Sequence, residues 1–377
     1  MRNTVIAGYV RSPFHLAGKG ALARVRPDDL AAQTIRGLVE KTGVKAEDIE
    51  DIVMGCAFPE GEQGFNIARL VGLLADLPIS VGGMTVNRFC GSSMSAIHIA
   101  AGQIAIGAGE AFICAGIESM SRVPMTGFNP MPNPELAKKS AAYMSMGETA
   151  ENVAQNYNLT REEQDQFAAR SQAKAEAAIK AGHFTDEIIP IATRNGTVDT
   201  DGTPRPGTTA EALGGLKPAF DQNGTVTAGT SSPLTDGASA VLVTSEDYAK
   251  EHGLPILARI KSVAISGCNP ETMGLGPIES SRKALERAGI SADQLDVIEL
   301  NEAFASQSLA VIRDLGLDES KVNPDGGAIA IGHPLGATGA RIVGKAAALL
   351  KRDGGKYALA TQCIGGGQGI ATVLEAV

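Results

Sequence analysis

The amino-acid sequence predicts an α/β protein made of two similar halves with a different region between them. Helical patterns alternate with short apolar strands, which indicates a mostly parallel sheet covered on both faces. The segment around Gly43 is repeated around Gly289, and the same offset of 246 positions places Cys90 over the glycine-rich turn at Gly336. An offset that recurs without gaps at separated places predicts that the two halves share one topology.

The first half contains two helix-and-strand pairs. Residues 27–39 begin with a proline and two acidic residues and carry an apolar stripe, so they predict a helix. Residues 49–54 predict a short strand. A second helical pattern covers 92–106, and the apolar run at 111–116 predicts a buried strand after it.

Proline and glycine interrupt the middle of the chain. The prolines at 124–134 exclude regular structure there, and a capping box at Thr160 begins a long helix that ends near Gly182. Residues 189–218 are rich in Gly, Pro and Thr and predict a loop, whereas 236–245 predict a strand that returns to the first half. We therefore expect an inserted loop domain that lies over the first half.

The second half repeats the pattern of the first. Its strands are predicted at 297–300 and 357–361. The resulting division has three parts: an N-terminal half at 1–120 to which 236–254 return, an inserted loop domain at 121–235, and a C-terminal half at 255–377.

Composition and charge exclude several classes of function. The 377-residue chain has a net charge of −9 and no basic run, so we expect no nucleic-acid partner. The apolar stretch at 96–117 is broken by glycines and polar residues, so we expect no membrane span. Its five cysteines form no CxxC pair, which argues against a disulfide framework and a metal site. Reduced thiols and the lack of a signal-peptide pattern favour a cytoplasmic location.

Cys90 is the first candidate for chemistry. It lies where a predicted strand gives way to a helix, and Gly91 allows a substrate to approach the backbone. A thiol at the N-terminus of a helix is expected to have a lowered pKa and to form a thiolate readily. The residues alone fit a small buried core thiol equally well.

Two further segments of the second half carry reactive groups in glycine-rich surroundings. His333 follows an apolar run and could accept a proton from a thiol or bind an oxyanion, although a structural histidine in a turn fits too. Cys363 is expected in a glycine-rich turn after the strand 357–361, where bare N–H groups such as that of Gly365 suit an anionic oxygen. Asn301 follows a strand at the sheet edge where ligands bind in α/β proteins, and Glu302 beside it could be a helix-start acid.

Four motifs in this order resemble those of the thiolases along the whole chain. They are the Cys90–Gly91 segment, Asn301–Phe304, Gly332–Pro334 and Cys363–Gly365, and the run Thr227–Ser232 is also thiolase-like. The resemblance implies the thiolase fold, with two mixed five-stranded sheets in a layered α/β/α/β/α arrangement plus an inserted loop domain. It also implies coenzyme A thioesters as substrates, no tightly bound cofactor, and a homodimer or homotetramer.

The resemblance further implies a role for each site residue. Cys90 would be the acylated nucleophile, His333 would activate it, and Cys363 would be the second acid and base. Asn301 and His333 would form one oxyanion hole through a water, and the N–H groups of Cys90 and Gly365 the other. The residues expected to contact coenzyme A are Ser232 at the pantetheine, Arg205 at the nucleotide end, and Ala228, Phe304 and Met146.

Three alternatives are set against a thiolase. A Cys–His–Asn hydrolase has no use for Cys363, and a ketoacyl synthase would have His-Gly-Thr-Gly-Thr where this chain has His333-Pro334-Leu335. A non-catalytic acyl-CoA-binding or lipid-binding relative would not need Cys90, His333 and Cys363 together.

The acyl chain length is a separate question. Biosynthetic acetoacetyl-CoA thiolases have His-Met-Gly where this chain has Ser145-Met146-Gly147, so the sequence favours a degradative 3-ketoacyl-CoA thiolase of fatty acid metabolism. A short-chain acetyl-CoA C-acetyltransferase is the alternative.

Overall fold

A computed structural model of the chain describes residues 2–377. The strands in this range are β1 Thr4–Arg11, β2 His15–Leu16, β3 Ile49–Gly55, β4 Gly82–Val86, β5 Ala111–Ser119, β6 Ile191–Thr193, β7 Gly196–Val198, β8 Thr235–Ser245, β9 Ala258–Gly267, β10 Val297–Leu300, β11 Tyr357–Ile364 and β12 Gln368–Glu375. The α-helices are α1 Pro27–Thr42, α2 Ile67–Leu74, α3 Ser92–Ile106, α4 Pro134–Lys139, α5 Met146–Asn156, α6 Arg161–Lys180, α7 Ala210–Gly214, α8 Glu246–Glu251, α9 Gly276–Ala288, α10 Ala305–Leu315, α11 Ala328–Ile331 and α12 Leu335–Asp353.

Each half contributes one mixed sheet. The first has the strand order β4-β3-β5-β8-β1, and the second has the order β10-β11-β12-β9. In the second half, an isolated bridge joins Ile298 of β10 to Val322. This bridge lies on the side of β10 that corresponds to the position of β4 beside β3 in the first sheet. The edge strands β1 and β9 pair at Val5 with Arg259, which joins the two sheets into one. The two-half α/β architecture predicted from the sequence is therefore present.

Three hydrophobic clusters define the layers. One lies between the first sheet and its outer helices α1 and α2, and another lies between the second sheet and α9 and α10. The third combines apolar residues of both sheets with those of α3 and α12, so these two helices form a shared central layer. By length and composition alone Phe89–Ile106 could cross a membrane, but here the helix in this stretch lies between two sheets.

The repeat inferred from the sequence holds at the level of strand register. In the first sheet Ile52 pairs with Ile113, and in the second Ile298 pairs with Leu359, so both partners are displaced by the same 246 positions. The helices α1 and α9 also end alike, at Gly43 and Gly289, which have φ angles of 70° and 68°. Glycine favours this left-handed conformation, which explains its presence at both helix ends.

The insertion differs from its prediction in two respects. Its helices α5 and α6 pack into the hydrophobic cluster of the second half, whereas the hairpin of β6 and β7 packs on the first half through Ile191. The expectation that it lies over the first half was therefore wrong for its helices. The prediction of a loop over 189–218 was also wrong, because this segment contains that hairpin and α7. The predicted returning strand is β8, which pairs with β1 and β5.

Buried ion pairs connect the insertion to both halves. Arg11 of β1 donates to Glu187 at 2.7 Å and to Asp201 at 2.7 Å, and all three side chains are buried. Lys345 of α12 binds the same Glu187 at 2.9 Å and Asp325 at 2.8 Å. Because a buried charge is costly without a partner, this network fixes the insertion to both halves at once.

Glycines bring the central helices close to the strand ends. A Cβ at Gly116, near the end of β5, would overlap the backbone of Gly336 at the start of α12. A Cβ at Gly339 would overlap the backbone of Met94 in α3. The first turns of both central helices are therefore held against each other and against the carboxyl ends of the strands.

Candidate active site

The sequence-predicted chemical residues lie at one edge of the fold. One residue separates Cys90 from the start of α3, and one residue likewise separates His333 from the start of α12. Asn301 directly follows β10, and Cys363 lies near the end of the neighbouring strand β11. Two helix N-termini and two strand carboxyl ends thus meet at this edge, where α/β proteins bind ligands.

Cys90 is held in a strained and crowded turn. The residue before it, Phe89, has a φ of 41°, which is uncommon for a residue with a side chain. After it, a Cβ at Gly91 would lie 2.6 Å from Cδ1 of Ile364. The small residue therefore lets the Cys90 turn pack directly against the second half.

The expectation of a lowered pKa for Cys90 was wrong. Burial of the thiol raises its pKa to about 12, and the N–H groups of Gly365 and of Cys90 itself lower the pKa only in part. Loss of hydration therefore outweighs these two backbone contacts. The resting residue is a thiol, and it must lose its proton during the reaction.

Cys363 is also a protonated thiol. It lies within β11 rather than in the turn after it, because this strand continues to Ile364 instead of ending at Thr361. Cys363 is 1% exposed, and burial followed by the proximity of Cys90 raises its pKa well above the ordinary value. The structure therefore brings the two cysteines, one from each half, close together.

A tight turn after β11 aims backbone N–H groups at Cys90. Gly366 and Gly367 have φ angles of 80° and 85°, so glycine is required at both positions. The turn brings the N–H of Gly365 near enough to the Cys90 thiol to lower its pKa. Beside it, the side-chain amide of Gln362 donates to the carbonyl of Cys90. These contacts position the predicted oxyanion-binding groups around the thiol.

His333 is a neutral base in a closed environment. It is 4% exposed, and burial followed by the charge of Arg341 lowers its pKa to about 3. Its Nδ1 lies 2.6 Å from the hydroxyl of Thr338. Its Nε2 lies 3.4 Å from Nδ2 of Asn301, and its backbone N–H donates to Thr235. The ring is thus fixed by one nitrogen and offers the other to the site.

Asn301 and Glu302 are adjacent but play different parts. The Oδ1 atom of Asn301 is buried without a hydrogen-bond partner, which suits a site that binds a polar group or a water. Glu302 is not a helix-start acid, because α10 begins only at Ala305. Its carboxylate accepts from Ser171 at 2.6 Å and from Asn323 at 2.8 Å, so it ties α6 to the loop before α11.

Apolar side chains cover Cys363 from the side of the insertion. Phe304 and Cys363 belong to one buried cluster, against which Met146 packs. The Sδ atom of Met146 lies against Gly365, and Phe220 meets Phe304 edge to face with ring centres 6.0 Å apart. Ser145 is turned to solvent, where it caps α5 with Glu148. The wall of the site is therefore formed by Met146 and not by Ser145.

The residues expected to contact coenzyme A lie in two separate loops. Ser232 donates its N–H to the carbonyl of Ala303, which places the 227–232 segment beside Phe304, and Ala228 of this segment is exposed. Arg205 is exposed in another loop, which Gln172 of α6 holds through the Arg205 N–H at 2.9 Å. Within residues 2–377, no hydrogen bond joins Arg205 to Ser232 or Ala228.

Sequence reasoning missed two side chains that contact the predicted residues. Thr338 was visible only as part of the glycine-rich turn after His333, and Gln362 only as the residue before Cys363. A threonine five positions after a histidine has no special meaning until a helix begins between them and directs its hydroxyl back to the ring. No sequence signal identifies Gln362, because its partner Cys90 is far away in the chain.

The combined arrangement suits acyl transfer. It contains a half-buried and a buried thiol, a neutral imidazole and N–H groups that can bind a developing oxyanion. A single-cysteine hydrolase would use only part of it.

Comparison with known proteins agrees with this chemistry. The family models for the N-terminal and C-terminal domains of thiolase match residues 4–247 and 254–376. The 3-ketoacyl-CoA thiolases of Vibrio vulnificus (strain CMCP6) and Bacillus subtilis (strain 168) are 50% and 46% identical, over 100% of both chains. A crystal structure of human mitochondrial 3-ketoacyl-CoA thiolase in complex with CoA is 38% identical, with a TM-score of 0.92 over 100% of this chain and 98% of that one.

Proposed function

The chain belongs to the thiolase family, and we propose that it acts as a degradative 3-ketoacyl-CoA thiolase. It is an acyltransferase that cleaves a 3-ketoacyl-CoA with coenzyme A to acetyl-CoA and a shortened acyl-CoA. Coenzyme A is a substrate here, and the reaction needs no tightly bound cofactor. The reverse direction is a Claisen condensation.

One observation supports the proposal most strongly. The two halves contribute one thiol each to the same site, and the Gly365 N–H of the second half lowers the pKa of Cys90 in the first. A reaction with a covalent acyl intermediate and a separate proton transfer to carbon needs two such groups. A hydrolase or a binding protein would not need a second thiol.

In the first half-reaction we assign the nucleophile to Cys90. Its sulfur attacks the 3-keto carbon while its proton passes to His333, which is neutral because burial lowers its pKa to about 3. The N–H groups of Cys90 and Gly365 support the oxyanion that forms. The bond between C2 and C3 then breaks, and the C2 carbanion takes the proton of Cys363, which gives acetyl-CoA and an acyl-Cys90.

The second half-reaction restores both groups. The thiol of an incoming coenzyme A gives its proton to the Cys363 thiolate and attacks the acyl carbon. Cys90 leaves as a thiolate and recovers its proton from His333. All protons return to their starting positions, so the cycle needs no additional acid or base.

The walls of the site suit an apolar acyl group with a thioester at its end. Met146, Phe304 and Phe220 line the side near Cys363, and the 227–232 segment beside them is the proposed pantetheine contact through Ser232 and Ala228. Arg205 is proposed at the nucleotide end. Its exposed side chain leaves it free to bind phosphate.

We also propose a homo-oligomer and a cytoplasmic location. The edge strand β4 has no second partner in the sheet, and the helix beside it, α2, exposes Leu70, Leu73 and Leu74. Unpaired edge strands and exposed apolar patches typically mark contacts with another chain. We also propose the domain boundaries at 120, 235 and 255. The pairing of β8 with β1 supports the return of 236–254 to the first half.

The activity and its chain-length range are tested together. Loss of the enolate absorbance of 3-ketoacyl-CoAs of four, six and eight carbons should depend on added coenzyme A. Each additional methylene buried in the apolar site contributes about 0.8 kcal/mol, so kcat/KM should rise from the four-carbon to the longer substrates. A steep fall with length would instead favour an acetoacetyl-CoA thiolase, and no cleavage of any substrate would contradict the proposal.

A further inference from the structure

We propose that Thr338 is a positioning residue for His333, whose protonated ring it stabilises by accepting a hydrogen bond from Nδ1. This inference rests on the proposed function, in which His333 carries a proton between two steps. No motif singled out in the sequence assigns Thr338 a part in this reaction.

The contact is short and enclosed. Thr338 Oγ1 lies 2.6 Å from His333 Nδ1, and Thr338 is 1% exposed, so water does not compete for the ring nitrogen. Thr338 belongs to the first turn of α12, and the glycines at 336 and 339 hold this turn against the rest of the site. The position of the hydroxyl is therefore fixed by the helix.

The direction of the hydrogen bond follows from the second neighbour of the hydroxyl. Thr338 Oγ1 also lies 3.1 Å from the carbonyl oxygen of Pro334, one helical turn earlier. A carbonyl can only accept, so we place the single hydroxyl proton toward Pro334, which leaves the oxygen to accept from Nδ1–H. The resting tautomer then has its lone pair on Nε2, the nitrogen that faces Asn301.

The surroundings of the ring make this acceptor important. Arg341 lies one turn farther along α12, and its charge opposes protonation of His333. Glu118 of β5 accepts the N–H of Gly336 at 2.9 Å, but within residues 2–377 the His333 ring has no hydrogen bond to a carboxylate. The side-chain amide of Asn301 lies at the other ring nitrogen, Nε2. An imidazolium buried here without Thr338 would have an unpaired Nδ1–H, which is costly.

Two matched substitutions separate the hydroxyl from the shape of the residue. Thr338→Val keeps the volume and removes the acceptor, whereas Thr338→Ser keeps the acceptor and removes a methyl group. Loss of a hydrogen bond to a charged group should lower kcat of Thr338→Val by roughly 10–100-fold with little change in KM, and Thr338→Ser should retain most of the activity. Equal losses in both variants would mean that Thr338 only fills space, and no loss in Thr338→Val would overturn the proposal.

The ring itself provides a readout that does not require turnover. The chain has only five histidines, so ¹⁵N-histidine labelling with a His333→Gln reference spectrum resolves the ring nitrogens of His333. We expect a protonated Nδ1 in the wild type and in Thr338→Ser, and a shift toward protonated Nε2 in Thr338→Val. A wild-type spectrum with a bare Nδ1 would overturn the inference. Should Thr338→Val not fold, Thr338→Ala removes the same acceptor.

The two proposals can fail separately. A correct tautomer in a protein that cleaves no 3-ketoacyl-CoA would contradict the proposed function and leave the Thr338–His333 contact in place. Full thiolase activity in Thr338→Val would contradict the role of Thr338 and leave the proposed function standing.

Discussion

The two halves have the same backbone at their sheet edges but carry different chemistry there. Positions 55 and 301 are equivalent by the 246-residue offset, yet one is Gly55 and the other Asn301. Positions 117 and 363 are equivalent too, and they hold Ile117 and Cys363. A Cβ at Gly55 would overlap the backbone of Ser93 in α3, so the first half excludes a side chain where the second places its amide.

What covers each sheet explains the difference. Ile117 is sealed into the cluster beneath the outer helices of the first half. Cys363 instead lies under Met146 and Phe304, where the insertion replaces a continuous outer layer. In the first half, the sheet edge is therefore covered by the outer helices. In the second half, the insertion covers the equivalent edge and forms the site there. The first half still contributes Cys90, from the start of its central helix rather than from a strand.

The largest effect should come from the cysteine that the first half contributes. Replacing Cys90 with alanine removes the proposed nucleophile, so turnover should fall by at least about 10⁴-fold. Intact-mass analysis after incubation with acetyl-CoA should show one acetyl group on the wild type and none on Cys90→Ala. Cys114→Ala is the matched control, because this thiol is buried in the core away from the site. Acetylation that persists in Cys90→Ala would disprove the assignment.

Removing the thiol of the second half should have a smaller and more selective effect. As the proposed acid and base, Cys363 contributes roughly 10²–10⁴-fold, so thiolysis and condensation should collapse in Cys363→Ala. Cys90 should still be acetylated, only more slowly, because His333 accepts the Cys90 proton and coenzyme A can leave as a thiolate without the proton of Cys363. Exchange of the methyl hydrogens of acetyl-CoA with deuterated water should stop.

The equivalent position of the first half provides the control for that experiment. Ile117→Val changes the same strand position without chemistry, and it should reduce stability by about 1 kcal/mol while turnover stays normal. If Cys363→Ala retained hydrogen exchange and turnover, Cys363 would have a structural role like that of Ile117. The two equivalent positions would then not differ in chemistry.

The sequence predicted most of the scaffold because repetition and periodicity are local signals. The strand 297–300, the helix from Ser92 to Ile106 and the returning strand all lie where the pattern places them. The insertion was harder, because the hairpin of β6 and β7 is short and rich in turn residues. Its packing on the second half depends on contacts between distant segments, which no periodicity reports.

The sequence pointed to side chains that the structure brings to one edge of the fold, but it did not predict their electrostatics. The helix-start position of Cys90 is a local feature and suggested a lowered pKa, whereas burial in the folded protein, which no local pattern reports, raises the pKa. Likewise, the buried Glu302 stabilises the loop before α11, because Ser171 and Asn323 donate hydrogen bonds to its carboxylate from other elements. The expected roles of Cys90, His333 and Cys363, like those of Asn301, Gly365 and the coenzyme A contacts, remain predictions.

The smallest effect concerns how the second half holds the insertion. Burial raises the pKa of Asp325, but hydrogen bonds and charge from Arg352 and Lys345 outweigh it and hold the pKa below its usual value. A depressed pKa stabilises the fold above the pKa of the unfolded carboxyl, about 3.9, and this contribution is lost as the pH falls toward the folded value. Asp325→Asn should therefore lower the free energy of unfolding by about 1–3 kcal/mol at pH 7, with the difference from the wild type shrinking below about pH 4. Guanidinium titrations at several pH values measure this.

Asp353→Asn removes the exposed partner of the same Arg352 and should change the stability by less than about 0.5 kcal/mol. Equal effects of the two substitutions would show that the buried Asp325 stabilises the fold no more than an exposed ion pair does.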